Sequence, residues 1–171
     1  AGLQDRFQTT GTVTPELAAR LGLGGLAGRA SGQARDLRVG LPCAPYDRLG
    51  VRMASDTRGD VAARVAVRFD EIFESLRLIR AILNQLPAGE TRHVVPAAPA
   101  AGFGFGRIEG WRGEVLVALE SDATGHVRRC HCHDPSWQNW PVLEHAVIGN
   151  IVPDFPLINK SFNLSYSGQD R

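Results

Sequence analysis

The chain has 171 residues, 43% of them hydrophobic and 22% charged, a composition typical of a globular domain with one sizeable core. Its 19 basic and 18 acidic residues give a net charge of +1, which offers no electrostatic support for binding nucleic acid or an anionic membrane surface. No apolar run approaches the roughly 20 residues of a membrane-spanning helix, and only three cysteines argue against a secreted disulfide scaffold. We therefore expect a cytoplasmic protein that works at a membrane only as a peripheral subunit.

The first 60 residues are predicted to form short elements separated by glycine and proline. Thr14 to Gly22 predicts a short helix, because Thr14 can cap its start and Pro15 suits the first helical turn. A glycine-rich stretch follows over residues 22–32. Residues 37–52 hold two prolines and two glycines, so we expect irregular structure there.

The clearest element is a long helix over residues 60–86. Asp56 or Asp60 can cap its start, and the pairs Asp60–Arg64 and Glu74–Arg77 can each form across one turn. Its apolar residues recur at steps of three and four along one stripe: Val61, Val65, Phe69, Ile72, Phe73, Leu76, Ile79, Leu83 and Leu86. One broad stripe on so long a helix predicts the scaffold spine of a helical domain.

The second half of the chain changes to strand-like periodicity. Residues 87–102, rich in proline, alanine and glycine, predict an extended linker. Strands are predicted at 106–111 and 114–120, and a hairpin turn at 121–125 leads into a return strand at 126–132. Pro135 then opens a helix that reaches Ile148, and Pro153 starts another short helix.

This order of elements predicts an α+β fold, with a long helix, an antiparallel β-hairpin and C-terminal helices. We expect residues 1–92 to be mainly helical and residues 93–134 to form the antiparallel strands. Residues 135–171 are expected to be helical, with a C-terminal tail. Because the sequence starts without methionine, we expect a segment of a longer protein.

Cys130-His131-Cys132-His133 is a candidate metal motif, since all four side chains can bind zinc or a similar ion. On a strand, however, neighbouring side chains point to opposite faces, which puts the two cysteines on one face and the two histidines on the other. Four ligands from one strand cannot converge on one ion. The alternatives are side chains of a half-buried strand or a two-residue site completed from elsewhere.

Two further motifs have weak functional interpretations. The glycines of Gly102-Phe103-Gly104-Phe105-Gly106 lack the spacing of a dinucleotide-binding loop and instead predict a close approach of backbone to backbone. Ser165-Tyr166-Ser167-Gly168 is not the G-x-S-x-G sequence of a hydrolase nucleophile. We therefore expect neither a nucleotide site nor serine catalysis.

A polar cluster near a glycine-rich loop is more informative. Arg29, Asp36 and Arg38 lie within ten residues of one another, next to Gly28 and Gly32. Such a cluster can order a loop through a buried ion pair or bind an anion. On these residues alone, we favour the structural ion pair.

Six segments, in the same order along nearly the whole chain, carry a family resemblance. They are residues 10–14, the run from Gly24 to Gly32, Asp36-Leu37-Arg38, the helix 59–75, Ile108 to Glu114, and the pair 134–141 and 149–154. Together they resemble the C-terminal part of a [NiFe]-hydrogenase-type large subunit, of the kind found in complex I, hydrogenase-4 and the formate hydrogenlyase group. Gly25-Leu26-Ala27 departs from the family's usual Gly-Pro.

The resemblance implies a subunit that passes electrons from the iron–sulfur clusters of a neighbouring subunit to an acceptor. In hydrogenases the acceptor is a nickel–iron centre bound by four cysteines, and in complex I the same cavity holds quinone. The C-terminal cysteine pair should fall at Ser165 and Gly168, and both cysteines are absent. Soft thiolates suit nickel and hydroxyls do not replace them, so the resemblance argues against a nickel–iron centre.

We therefore expect a nickel-free subunit of a complex-I-like or formate-hydrogenlyase-like oxidoreductase complex, either an NADH:quinone oxidoreductase or a hydrogenase-like enzyme, on the inner face of the cell membrane. The resemblance implies an iron–sulfur small subunit and other subunits as partners, and it allows a quinone. We expect this chain alone to hold no cofactor and to be inactive. The expected cavity-lining residues are Arg29, Asp36, Arg38, Ser165, Gly168, Asp170 and Arg171.

Two other interpretations stay open. The chain could be a non-catalytic structural subunit that holds a membrane-bound, hydrogenase-like complex together, since the same absence of cysteines fits that role. It could also be a metal-binding module that uses Cys130 to His133, which analysis of bound zinc would test.

Overall fold

In the computed structural model, the described residues are 2–92, 94 and 101–169. Within them the helices are α1 (Pro15–Arg20), α2 (Gly25–Arg29), α3 (Leu37–Gly40), α4 (Tyr46–Leu49), α5 (Val61–Asn84), α6 (Ser136–Ala146) and α7 (Phe155–Phe162). The strands are β1 (Gly102–Gly110), β2 (Gly113–Ser121) and β3 (Val127–His133). Short 3-10 turns cover Leu3–Arg6 and Val152–Asp154. The predicted α+β fold is confirmed. Residues 93 and 95–100 of the predicted linker lie outside the described residues.

The short N-terminal elements follow their capping signals. The Thr14 side chain accepts a hydrogen bond from the Leu17 N–H at 3.2 Å, so the predicted start of α1 is confirmed. Residues 37–52 are more regular than predicted, because they contain α3 and α4. The Asp36 carboxylate caps α3 by accepting the Arg38 N–H at 2.9 Å, and Gly50 ends α4 at a positive φ of 55°.

Helix α5 has 24 residues and begins at its aspartate cap. Asp60 Oδ1 accepts the Ala63 N–H at 2.7 Å and Oδ2 accepts the Thr9 N–H at 3.0 Å. Because both oxygens bind backbone groups, the predicted Asp60–Arg64 ion pair is wrong. The predicted pair of Glu74 and Arg77 is confirmed, with 2.6 Å between Oε1 and Nη2.

The main core lies where α1, the start of α5, α6 and α7 meet. Its fully buried side chains include Val13, Ala18, Val61, Val142 and Ile158. Arg64 is buried at the same place and donates hydrogen bonds to the Gly59 and Gly11 carbonyls and to Ser161 Oγ. Burial lowers the pKa of Arg64 to about 9, which leaves the guanidinium charged at neutral pH.

The apolar stripe of α5 is only partly buried, which corrects the prediction that it forms an internal spine. Val61 and Val67 are in core clusters and Leu78 is also buried, whereas the residues of the predicted stripe from Phe69 onward are exposed. We call the exposed set the apolar face of α5: Phe69 (55% exposed), Ile72 (46%), Phe73 (66%), Leu76 (46%), Ile79 (52%) and Leu83 (63%). Within the described residues these six side chains stay largely exposed, although α4 approaches a different side of α5, where the Leu49 carbonyl accepts a hydrogen bond from Arg77 at 3.2 Å.

The three strands form an antiparallel sheet in the order β1-β2-β3. Gly110 pairs with Gly113 at the β1–β2 turn, and Leu119 and Val117 of β2 lie opposite Cys130 and Cys132. Strand β1 begins at Gly102, four residues before its predicted start at residue 106. The predicted close backbone contact at Gly104 and Gly106 is wrong, since no heavy atom lies within 4 Å of an added Cβ at either position.

The β1–β2 turn is fixed to the helices by a close approach that does require glycine. Gly25, at φ 61°, begins α2 so near the turn that an added Cβ would lie 2.4 Å from the Arg112 carbonyl oxygen. The Leu26 N–H donates to the Trp111 carbonyl at 3.2 Å, and the buried Asn139 side chain donates to the Arg112 carbonyl at 2.8 Å. These contacts position Trp111 and Arg112 between the sheet and the helices.

Candidate functional site

Arg29, at the end of α2, is the centre of a buried ion network. Its side chain is 1% exposed, and its Nε lies 2.6 Å from Glu71 Oε1 on α5. Its Nη1 lies 2.7 Å from Glu109 Oε1 on β1 and donates to the Arg35 carbonyl at 3.0 Å. Burial alone would lower the pKa of Arg29, but the two carboxylates outweigh it and raise the pKa above its usual value. One guanidinium therefore connects α2, α5 and β1.

Asp36 and Arg38 form a second pair beside this network. Arg38 donates from Nε and Nη2 to the two Asp36 oxygens, at 3.0 and 2.6 Å. Burial would raise the pKa of Asp36, yet its hydrogen bonds with Arg38 hold the pKa below the usual value. Glu109 Oε2 accepts the Leu37 N–H at 3.0 Å, which attaches this loop to the Arg29 network. The geometry is that of a loop ordered by buried ion pairs.

Two stacked cations connect this network to the C-terminal segment. Arg68 and Arg112 place their guanidinium carbons 4.8 and 5.3 Å from the centroid of the Trp111 ring. Arg68 Nη2 donates to the Ser161 carbonyl at 2.9 Å, and Arg112 Nε donates to the Asn163 carbonyl. A cavity of about 320 Å³ lies here, and its lining includes Arg29, Arg38, Arg68, Glu71, Glu109 and Trp111.

Two buried donor atoms in this region have no acceptor among the described residues. They are Nη2 of Arg29 and Nε of Arg68. Among the described residues, three buried side-chain nitrogen or oxygen atoms have no hydrogen-bond partner, and these are two of them. Both arginines otherwise bind well-defined oxygens of this chain.

The tail that follows α7 is held against the start of α6. Ser165 donates its N–H to Ser136 Oγ at 3.0 Å, and its carbonyl accepts the Trp140 indole N–H at 3.1 Å. Ser165 Oγ accepts the Gly168 N–H at 3.1 Å. Gly168 is buried, and an added Cβ would lie 2.5 Å from Asp134 Oδ2 and 3.1 Å from Asp134 Cβ. Position 168 therefore has no room for a side chain unless its surroundings move.

A second cavity, of about 630 Å³, lies beside this tail. Trp140 and Tyr166 line it with ring centroids 5.1 Å apart, together with Leu143, Val147 and Phe155. These side chains were not among the site residues predicted from the sequence. The one signal in the sequence was the presence of Trp140, Phe155 and Tyr166 in a chain with only 7% aromatic residues.

The predicted site residues fall into two groups that the structure keeps separate. Arg29, Asp36 and Arg38 belong to the ion network, whereas Ser165 and Gly168 belong to the tail. Among the described residues, no hydrogen bond or ion pair joins the two groups directly, and the connection runs through Arg68, Trp111 and Arg112. Asp170 and Arg171 lie outside the described residues.

Sequence reasoning did not select the carboxylates and cations that complete the network. Glu71 and Glu109 pair with Arg29 across 42 and 80 residues of sequence, so no local spacing indicates the contact. Arg68, Trp111 and Arg112 likewise make contacts with residues distant in sequence. All five lie within the segments that carried the family resemblance, which was the one available signal.

The Cys-His motif lies on β3 and places its two sulfurs side by side. Cys130 Sγ and Cys132 Sγ are 3.9 Å apart, and both residues are exposed. Over residues 2–92, 94 and 101–169, no group of three or more His, Cys, Asp or Glu side chains could hold a metal ion. The same part of the chain contains no helix with the length and apolarity needed to cross a membrane.

Comparison with known proteins identifies the chain's relatives. Residues 2–100 and 95–171 match the family described as respiratory-chain NADH dehydrogenase, 49 kDa subunit. The carbon monoxide-induced hydrogenase of Rhodospirillum rubrum is 35% identical over 168 residues, or 98% of this chain and 46% of that protein. A subunit of the NADH-quinone oxidoreductase of Syntrophobacter fumaroxidans is 35% identical, over 97% of this chain and 45% of that subunit. Formate hydrogenlyase subunit 5 of Escherichia coli is 32% identical, over 99% of this chain and 30% of that protein.

The fold has a solved counterpart as well. A chain of the membrane-bound sulfane sulfur reductase, an archaeal respiratory membrane complex, superposes with a TM-score of 0.87 at 28% sequence identity. The match covers 98% of this chain and 47% of that one. The chain thus spans about half the length, or less, of these relatives. The family match over nearly the whole chain, together with the shared fold, shows that it belongs to the 49 kDa subunit family of respiratory-chain NADH dehydrogenases.

Proposed function

We propose that the chain is part of a nickel-free subunit of a complex-I-like oxidoreductase complex. In that role it helps to carry electrons from the iron–sulfur clusters of a partner subunit to a quinone-type acceptor. The related proteins are subunits or enzymes of NADH-quinone oxidoreductase, formate hydrogenlyase and hydrogenase. Those names cover both hydrogen and quinone chemistry, so the choice between the two depends on this chain's own residues.

The observation that carries the proposal is the tail at Ser165 and Gly168. The family resemblance places two cysteine ligands of nickel at these positions. Ser165 Oγ instead accepts the Gly168 N–H, and Gly168 packs directly against Asp134. A cysteine at position 168 would place its Cβ within 3.1 Å of three Asp134 side-chain atoms. A cysteine at position 168 therefore requires the Asp134 side chain to move.

The donor set does not fit a nickel–iron centre. Nickel of this type needs soft thiolates, and the three cysteines of the chain are Cys43, Cys130 and Cys132, none of which lies in the tail. The oxygen donors Ser165 and Ser167 are 3.1 Å apart and bind each other. Nothing in the described tail supplies the ligands that hydrogen chemistry at nickel requires.

Two other features support a role within a larger assembly. The apolar face of α5 exposes six large side chains, a contiguous patch of the kind that marks a protein interface. The 630 Å³ cavity beside the tail is lined mainly by apolar and aromatic groups, which suits the ring of a quinone. We propose that the α5 face packs against the rest of the complex and that the complex lies on the inner face of the membrane.

The test is elemental analysis of the full-length protein, purified with its partner subunits. The proposal expects intact iron–sulfur clusters and near-zero nickel, together with quinone reduction that weakens when Trp140 is replaced by alanine. Nickel in stoichiometric amount would overturn it. Replacement of the exposed Trp137 by alanine, outside the cavity lining, is the matched control and should leave quinone reduction unchanged.

A second candidate is a non-catalytic structural subunit. The buried network of Arg29, Glu71 and Glu109 favours it, because these charges are neutralised inside the chain and serve to hold three elements together. Co-purification with an iron–sulfur subunit, without any quinone-linked electron transfer, would favour this candidate over the first.

A further inference from the structure

The exposed pair Cys130 and Cys132 is not used by the proposed function. Alternate residues of a strand share one face, and the structure places the two sulfurs 3.9 Å apart. Both residues are exposed, on a strand at the outer edge of the sheet. The pair therefore presents two sulfur donors to one point in the solvent.

The residues opposite the two cysteines are apolar. Cys130 lies opposite Leu119 and Cys132 opposite Val117 in the β2–β3 register, so these four side chains share one face. His131 and His133 lie on the other face, opposite Ala118 and Leu116. Cys130 and Cys132 therefore place their sulfurs on one face of β3. His131 and His133 lie on the other face and cannot bind the same ion.

The sulfur spacing fits a bridging ion better than a disulfide. Two metal–sulfur bonds of about 2.3 Å that span 3.9 Å meet at an angle of roughly 115°, between tetrahedral and trigonal values. A disulfide needs sulfurs at about 2.05 Å, so the two side chains would have to change rotamer to close one. Alternate residues of an extended strand are also about 6.7 Å apart, at the upper end of the Cα separations that disulfides span.

We propose that Cys130 and Cys132 form a surface site for one thiophilic metal ion of the zinc, cadmium or copper(I) class. The two thiolates supply two ligands, and water or another exogenous donor completes the coordination. Each thiol releases its proton when the ion binds, so two protons leave for each ion bound.

The test uses Cd(II) and the full chain, reduced and freed of metal. Calorimetric titration in two buffers of different ionisation enthalpy gives the stoichiometry and the protons released, and ultraviolet absorbance reports thiolate–cadmium bonds. We expect one ion per chain and two protons released. Cys130→Ser and Cys132→Ser should each weaken binding by at least roughly tenfold, since each leaves a single thiolate. Cys43→Ser, which removes the isolated exposed cysteine, should bind as the parent does.

Two results would overturn the proposal. One is binding that survives either serine substitution at Cys130 or Cys132 within about threefold. The other is a loss of binding in His131→Ala or His133→Ala, which would show that the site is not the two-sulfur face. Because all these side chains lie on the surface strand, unchanged circular dichroism of each variant confirms that only the site has changed. Neither result depends on whether the tail binds nickel, so this proposal and the proposed function fail separately.

Discussion

Replacing Glu109 by glutamine should destabilise the chain strongly, because Glu109 completes the buried Arg29 network. Its two oxygens accept the Arg29 Nη1–H at 2.7 Å and the Leu37 N–H at 3.0 Å, and its side chain is only 6% exposed. Glutamine removes the negative charge, and its NH₂ group cannot accept a hydrogen bond from Arg29 or from Leu37, whichever of the two it faces. Breaking a buried ion pair costs about 3–5 kcal/mol. Arg29 keeps its contact with Glu71, so we expect the lower end, about 3 kcal/mol.

Urea unfolding followed by circular dichroism measures this loss. With a denaturant dependence of about 2 kcal/mol/M, a loss of about 3 kcal/mol lowers the midpoint by roughly 1.5 M. The control is Glu120→Gln, which removes a carboxylate 2.9 Å from Arg128 on the surface, where a pair contributes about 1 kcal/mol or less. Midpoints that fall by the same small amount in both variants would refute the claim that the Arg29 network stabilises the fold.

Three further substitutions test other parts of the structure. Gly168→Ala should cost about 1–3 kcal/mol by forcing a Cβ against Asp134, whereas Gly104→Ala, with no atom within 4 Å of the added Cβ, should change the melting temperature little. The hydrogen bond with Arg77 lowers the pKa of Glu74, so their pair contributes stability above the unfolded-state pKa of about 4.3 and loses it as the pH falls through the lower folded value. Urea midpoints measured between about pH 6 and pH 3 should therefore fall less for Glu74→Gln than for the parent. Phe73→Glu, on the apolar face of α5, should reduce co-purification with partner subunits while leaving the unfolding midpoint of the chain nearly unchanged, because Phe73 is 66% exposed.

Each of these has a result that would count against it. Equal melting temperatures for the two glycine variants would mean that the tail is not packed against Asp134. If the urea midpoints of Glu74→Gln and the parent fall equally with pH, the Glu74–Arg77 pair does not contribute pH-dependent stability. A fully assembled Phe73→Glu complex would show that the α5 face is not an interface.

Local signals in the sequence were enough to predict the elements. The caps Thr14 and Asp60, the spacing of apolar residues along α5 and the turn at residues 121–125 act within a few residues, and the structure confirms them. Strand alternation also predicted that the two cysteines of β3 share a face. Their sulfur spacing depends on side-chain rotamers, which the sequence does not specify.

Long-range contacts were the part that the sequence could not supply. A periodic stripe indicates that a helix face is apolar, but not whether another element of the same chain covers it, so the exposure of Phe73 was missed. In the same way, Arg29 and Asp36 were recognised as a polar cluster, while the carboxylate of Glu109 comes from a strand 80 residues away. Only folding brings these groups together.

Nickel content of the full-length protein, purified with its partners, tests the central claim most directly. Since Cys130 and Cys132 could bind adventitious nickel, the measurement should include a variant with both cysteines replaced by serine. We expect intact iron–sulfur clusters and no stoichiometric nickel in that variant. One nickel per complex that persists without these cysteines would show that other ligands replace Ser165 and Gly168, and would contradict the proposed nickel-free subunit.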